Sequence, residues 1–120
     1  MKRDMELART ILLKLRDQDE LNKTVLLENE IEGYTKEQVL YHIKILAQAG
    51  LVEAMDASSS DELYWIAESL TWEGQEFVDA INNETVWNKT KDIVKEEGGS
   101  IPFEVLKNLA IQVAAKFFGL

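Results

Sequence analysis

The sequence predicts a mainly α-helical protein with a small antiparallel β-hairpin, an α+β fold. Three observations predict it: apolar residues recur at helical spacing in several segments, capping residues bracket those segments, and two short strand-forming runs flank a polar tip near the middle of the chain. The 120 residues are 46% hydrophobic and 29% charged, which is typical of one globular domain that closes its own core.

The first predicted helix covers residues 4 to 16, with Asp4 as N-cap. Its apolar stripe consists of Met5, Ala8, Ile11, Leu12 and Leu15. Residues 23 to 32 follow a polar connection and favour a strand, although a poor helix is the alternative.

Thr35 opens the second helix as N-cap, and Gln38 three residues later completes a capping box. Gly50 provides a left-handed stop after Ala49. One face is predicted to be covered and consists of Val39, Leu40, Ile43, Leu46 and Ala47. The outward face consists of Glu37, Gln38, Tyr41, His42, Lys44, Ile45 and Gln48.

Residues 51 to 57 and 63 to 69 are predicted to form a hairpin with a polar tip at residues 58 to 62. Thr71 is the expected N-cap of the third helix. Glycine inside a helix costs about 1 kcal/mol relative to alanine, so Gly74 indicates close approach of another backbone.

A fourth helix is predicted from Glu84 to Glu97, and a last helix begins near Pro102. The last helix has a wide apolar face that includes Leu109, Val113 and Phe117. We expect one domain in which residues 1 to 82 form the core and residues 83 to 120 form a C-terminal helical extension.

Composition narrows the possible functions. The chain has no Cys, and His42 is its single histidine, so we predict no metal site, no cofactor and no catalytic site. The net charge is −9, and residues 51 to 82 contain eight acidic residues and no basic one. No segment has the continuous apolar run of a signal peptide or a membrane span, so we expect a cytoplasmic protein.

Two motifs in order resemble bacterial winged-helix regulators. The stretch from Val39 to Glu53 is similar to their recognition helix and first wing strand, and Leu70-Thr71-Trp72-Glu73-Gly74 is similar to the sequence after the wing. The resemblance implies a winged-helix core. Residues 23 to 34 depart from it, because the supporting helix expected there is strand-like in sequence.

Nearly the whole chain also resembles the family called domain of unknown function 2513. The similar segments are Met1 to Met5, Ile31 to Tyr34, Tyr41 to Lys44, Leu70 to Gly74, Val86 to Thr90 and Gly99 to Lys107. This resemblance implies a phage or prophage context and no established activity.

The first functional hypothesis is a dimeric DNA-binding regulator of phage or prophage type, whose second helix contacts double-stranded DNA. Its candidate DNA-binding residues are Lys36, Gln38, Tyr41, His42, Lys44 and Gln48. A wing without basic residues is a departure from this interpretation, because its carboxylates would repel phosphate.

The alternative is a winged-helix-derived module for protein–protein interaction or assembly, without DNA binding. Its candidate contacts are Tyr41, Ile45 and Ala49 on the second helix, and Leu109, Val113 and Phe117 on the last helix. Two interpretations of the last helix are open: its wide apolar face pairs two copies, or it folds back on the first helix to complete the core. The aromatic residues Tyr64, Trp65, Trp72, Phe77 and Trp87 are predicted to pack in the core.

Overall fold

The computed structural model describes residues 1–18, 27, 30–96, 98–99 and 101–119. Its elements in chain order are the helix α1 (Met5–Arg16), the helix α2 (Lys36–Gln48), the strands β1 (Val52–Asp56) and β2 (Trp65–Leu70), and the helices α3 (Trp72–Ile81), α4 (Glu84–Glu96) and α5 (Phe103–Phe117). The strands form a two-stranded antiparallel sheet. The predicted fold class, mainly α with a small β-hairpin, is confirmed.

The chain divides into two compact units, Met1–Gln75 and Glu76–Leu120. The boundary falls within α3, several residues before the junction expected at residues 82 and 83. The interpretation of the chain as one domain with a C-terminal extension stays a prediction.

In the first unit, α1 begins where the sequence predicts. The Asp4 carboxylate accepts hydrogen bonds from the backbone N–H groups of Glu6 and Leu7, which satisfies two donors at the helix start. The buried side of α1 consists of Leu7, Ala8, Ile11, Leu12 and Leu15. Most of the strand predicted for residues 23 to 32 lies outside the described residues.

The helix α2 has the predicted capping box. The Gln38 backbone N–H donates to Thr35 Oγ1 at 3.1 Å, and the Thr35 backbone N–H donates to Gln38 Oε1 at 2.8 Å. Gly50 follows the helix with φ of +80°, the left-handed conformation expected of a helix stop. The apolar side chains that anchor α2 in the core are Val39, Leu40, Ile43 and Leu46.

The hairpin pairs Met55 with Ile66 and Glu53 with Ser69, with an irregularity between Glu53 and Ala54. Val52 and Ala67 are buried, whereas Glu53 and Met55 are exposed. Since side chains alternate along a strand, β1 turns Glu53 and Met55 away from the core.

The end of the hairpin is joined to the start of α3 by three hydrogen bonds. Thr71 Oγ1 donates to the Gly50 carbonyl at 2.6 Å and accepts the Gly74 N–H at 3.0 Å, so Thr71 is the predicted N-cap. The Thr71 N–H donates to the Leu51 carbonyl at 3.0 Å. A Cβ added at Gly74 would overlap that same Leu51 carbonyl oxygen, which confirms the close backbone approach predicted there.

In the second unit, Asn83 caps α4 by accepting the N–H groups of Thr85 and Val86 at its side-chain oxygen. Phe77 and Phe103 meet edge to face with their ring centroids 5.4 Å apart. The helices α4 and α5 pack together, and their buried side chains are Val86, Trp87, Thr90, Leu106, Ala110 and Ala114.

Candidate interaction surface

The first cation on α2 lies against the hairpin. Lys36 Nζ is 3.1 Å from Glu62 Oε1 and lies over the Tyr64 ring, 5.4 Å from its centroid. Both partners belong to the segment that the winged-helix resemblance assigns to the wing. A DNA phosphate that approached Lys36 would therefore also approach a carboxylate.

The second lysine on α2 lies near another hairpin carboxylate. Hydrogen bonds from the side chain and backbone of Ser58 lower the pKa of Asp56 below its usual value, and the positive charge of Lys44 lowers it further. The Ser58 N–H donates to Asp56 Oδ1 at 2.9 Å. Asp56 therefore lies within electrostatic reach of Lys44.

His42 does not lie on the outward face, which corrects the sequence prediction. Its side chain is 1% exposed, and both ring nitrogens are used. The Asp4 backbone N–H donates to Nε2 at 2.8 Å, and Nδ1 lies 2.7 Å from the Gln38 carbonyl oxygen. Because an N–H can only donate and a carbonyl can only accept, the ring carries its proton on Nδ1. Because His42 is buried and each of its ring nitrogens already forms a hydrogen bond, neither nitrogen is available to contact a DNA base.

The remaining outward candidates keep some exposure. Tyr41 and Ile45 are half-buried, and Gln48 and Ala49 are exposed. Gln38 is half-buried, and its side-chain oxygen already accepts the Thr35 N–H in the capping box. Tyr41, Ile45, Gln48 and Ala49 therefore keep accessible surface on α2, whereas His42 does not.

The hairpin is an acidic surface. Residues 51 to 75 contain six acidic residues and no basic one, and all six are exposed. They are Glu53, Asp56, Asp61, Glu62, Glu68 and Glu73. Two of them, Glu62 and Asp56, lie near Lys36 and Lys44 of α2.

Trp72 is a surface residue, which corrects its predicted place in the core. It is 80% exposed, whereas Trp87 is 1% and Phe77 1% exposed, and Trp65 and Tyr64 are half-buried. The helical periodicity of α3 could have predicted the exposure of Trp72. Five residues at about 100° each place Trp72 about 140° from Phe77 around α3. Hydrophobicity alone predicts burial, whereas the phase of α3 places Trp72 opposite its buried side.

The predicted face of α5 lines a groove in the second unit. Leu109 and Val113 are half-buried, and Phe117 is 42% exposed. With Ile93 of α4 they border a groove of about 260 Å³, which is also lined by Lys89, Gln112 and Lys116. Pairing of two copies through this face stays a prediction.

Among the residues that the structure describes, no group of three or more His, Cys, Asp or Glu could hold a metal ion. No helix in the same part of the chain is long and apolar enough to cross a membrane.

The fold and this surface define a small, mainly α-helical protein with an acidic hairpin and one highly exposed tryptophan. The chain belongs to the family described as "Hypothetical protein (DUF2513)", which matches residues 2–100, so the predicted resemblance to that family is confirmed. It is 44% identical over 110 residues to an "Uncharacterized protein" of Haemophilus influenzae (strain ATCC 51907 / DSM 11121 / KW20 / Rd), and the alignment covers 92% of each chain. No solved structure matches the chain. Neither description names an activity, a ligand or a partner.

Proposed function

We propose that this chain is a winged-helix-derived protein-interaction module that does not bind DNA. The observation that carries the proposal is the ion pair between Lys36 of α2 and Glu62 of the hairpin. Lys36 is 3.1 Å from Glu62, and Lys44 lies close enough to Asp56 to lower its pKa.

Electrostatics favours the protein-interaction hypothesis over DNA binding. Non-specific DNA binding gains its affinity from lysines and arginines that neutralise phosphates and release counterions. A lysine with a carboxylate at contact distance contributes little net charge. A phosphate that approaches this ion pair is attracted by Lys36 and repelled by Glu62 to a similar extent. A chain with a net charge of −9 adds a repulsive background.

Apolar exposure supports contact with a protein. Tyr41, Ile45 and Ala49 lie at i, i+4 and i+8 on α2, and none of the three is fully buried. A short row of this kind can pack on an apolar partner surface, whereas hydrated base edges offer it few contacts.

A DNA-binding regulator of phage or prophage type is the second candidate function. One observation favours it: helix, hairpin and helix follow one another in winged-helix order, and α2 keeps Lys36 and Gln48 exposed. This is support by analogy of fold.

Fluorescence anisotropy with labelled duplex DNA separates the two candidates. We expect no binding by the wild-type chain at low salt, where the phosphate contribution is strongest. Binding of the wild type that weakens steeply with added salt would refute the proposal.

A charge-removal variant makes this test sharper. Glu62→Gln combined with Asp56→Asn should release two lysines toward DNA and give weak binding whose logarithmic salt slope is up to about −2. The matched control is Asp92→Asn with Glu96→Gln on α4, which removes the same charge from exposed positions in the second unit. Equal DNA binding by both variants would show that net charge, and not the hairpin contacts, keeps the chain off DNA.

Affinity capture from host cells tests the protein-binding part. Wild type and Ile45→Asp are used as bait, with Ile111→Asp on the exposed side of α5 as control. We expect a recovered protein that is lost with Ile45→Asp and retained with the control. Equal recovery with all three baits would exclude the α2 row as the contact.

A further inference from the structure

We infer that Trp72 and the acidic outer side of the hairpin form a docking site for a cationic protein segment, one that presents arginine or lysine side chains. This inference rests on the proposed function and specifies its partner chemistry. The site, called the hairpin surface below, consists of Glu53, Met55, Ile66, Glu68, Trp72 and Glu73.

The first step is the exposure of Trp72. A tryptophan side chain gains more from burial than most residues do, yet this one is 80% exposed at the first position of α3. Tryptophan is also among the residues most enriched at the energetic centres of protein interfaces. An exposed tryptophan on a helix whose other apolar residues are buried is therefore an anchor available to a partner.

The second step is the apolar pair on the hairpin that precedes Trp72 in the chain. Met55 is 50% exposed, and it pairs across the ladder with the half-buried Ile66 on the same side of the hairpin. The strand that carries Ile66 ends at Leu70, two residues before Trp72. Met55 and Trp72, two of the four large apolar side chains exposed in the described part of this unit, thus lie on the strand pair and on the helix that follows it; the other two are Met1 and Leu63.

The third step is charge, which selects the occupant. Glu53 lies opposite Ser69 in the ladder, next to Glu68, and Glu73 follows Trp72 directly. All three carboxylates are exposed, and residues 51 to 75 hold no cation. Phosphate groups and anionic membranes would be repelled here, and so would a second copy of a chain with a net charge of −9.

A cationic side chain fits both parts of the hairpin surface. Arginine or lysine can lie over the indole face of Trp72, the most favourable ring for cation–π contact, while carboxylates such as Glu68 and Glu73 pair with its neighbours. The partner's methylene groups would cover Met55 and Ile66. A basic, extended segment of another protein is therefore the occupant that this chemistry recognises.

Quenching of tryptophan fluorescence tests the electrostatic setting. The signal of Trp72 is the difference between the wild type and Trp72→Phe, since Trp65 and Trp87 are present in both. Compared with free N-acetyltryptophanamide at equal ionic strength, this difference signal should be quenched relatively more by caesium and relatively less by iodide, because the carboxylates concentrate cations. The opposite order of these two ratios would overturn the inference.

Binding is then measured with labelled peptides of repeating Arg-Gly, Lys-Gly and Glu-Gly. We expect the Arg-Gly peptide to bind most tightly and the Glu-Gly peptide not to bind. Trp72→Ala should weaken binding about tenfold. Glu68→Gln with Glu73→Gln should weaken it several-fold and reduce its salt dependence, whereas Asp92→Asn with Glu96→Gln should leave it unchanged. Circular dichroism checks that each variant folds. We expect that it does, because each substituted side chain is exposed.

The outcomes distinguish this inference from the proposed function. Equal peptide affinity for the wild type and Trp72→Ala would overturn the hairpin surface as the docking site. If host cells still yield a partner that Ile45→Asp loses, the interaction module stands and only this surface is wrong. Binding of the wild type to duplex DNA would refute the proposed function, and the peptide result would still decide whether the hairpin surface takes cations.

Discussion

Replacement of Gly74 by alanine tests how the hairpin is joined to α3. In an ordinary helix the change from glycine to alanine stabilises by about 1 kcal/mol. Here the added Cβ would overlap the Leu51 carbonyl oxygen, which is backbone and cannot rotate away as a side chain can. The two effects have opposite signs, so the measured stability decides which one dominates.

The expected size follows from what must move. Overpacking of a well-packed site costs about 1–3 kcal/mol. If the Leu51 backbone shifts, its hydrogen bond from the Thr71 N–H and the bond from Thr71 Oγ1 to Gly50 are both strained, and each contributes about 1 kcal/mol. After the gain in helix propensity is subtracted, we expect Gly74→Ala to lower the free energy of unfolding by about 2–4 kcal/mol.

Urea denaturation followed by circular dichroism measures this difference, with Gly33→Ala as the control. Gly33 has φ of +87° and nothing within 4 Å of an added Cβ, so its replacement costs only backbone strain, about 1–2 kcal/mol. A Gly74→Ala protein as stable as the wild type, or more stable, would refute the close approach between α3 and Leu51.

Substitutions at two further positions, His42 and Tyr34, test the contacts of the first unit. His42→Phe should lower the free energy of unfolding by about 1–3 kcal/mol, because the Asp4 N–H loses its acceptor. His42→Gln keeps an acceptor oxygen and should lower it less. Urea denaturation of the two variants measures this order. Burial and the adjacent Asp4 carboxylate raise the pKa of Tyr34 above its usual 10.0, so stability from the protonated phenol is present below pH 10 and is lost as pH rises through the folded-state pKa. Tyr34→Phe should therefore flatten the alkaline decline of stability, and an unchanged decline would contradict this.

Much of the fold could be predicted because its signals are local. The capping box of Thr35 and Gln38, the left-handed Gly50 and the cap at Thr71 each depend on residues within a few positions of one another. Helix starts and stops of this kind are written into short stretches of sequence. The same holds for the close approach at Gly74, which a glycine inside a helical pattern indicates.

The position of His42 could not be predicted in the same way. The hydrogen bond that fixes its Nε2 comes from the backbone N–H of Asp4, 38 residues away. Nothing near His42 in sequence indicates that this N–H will contact its ring. A polar side chain is buried at low cost only when its hydrogen bonds are made. Long-range packing of α1 on α2 therefore decides its burial.

The positions of the carboxylates distinguish the two proposed roles of the hairpin, exclusion of DNA and docking of a cationic segment, better than the order of its elements does. Asp56 and Glu62 lie near the lysines of α2, and Glu68 and Glu73 flank the exposed Trp72. If the proposal and the further inference are both right, removal of the first pair should change contact with DNA and leave peptide affinity largely intact, and removal of the second pair should do the reverse. Each pair removes the same charge from the same unit, so a difference between them has to come from position. Under the two proposals together, the hairpin would exclude nucleic acid near its tip and accept a cationic protein segment near its base.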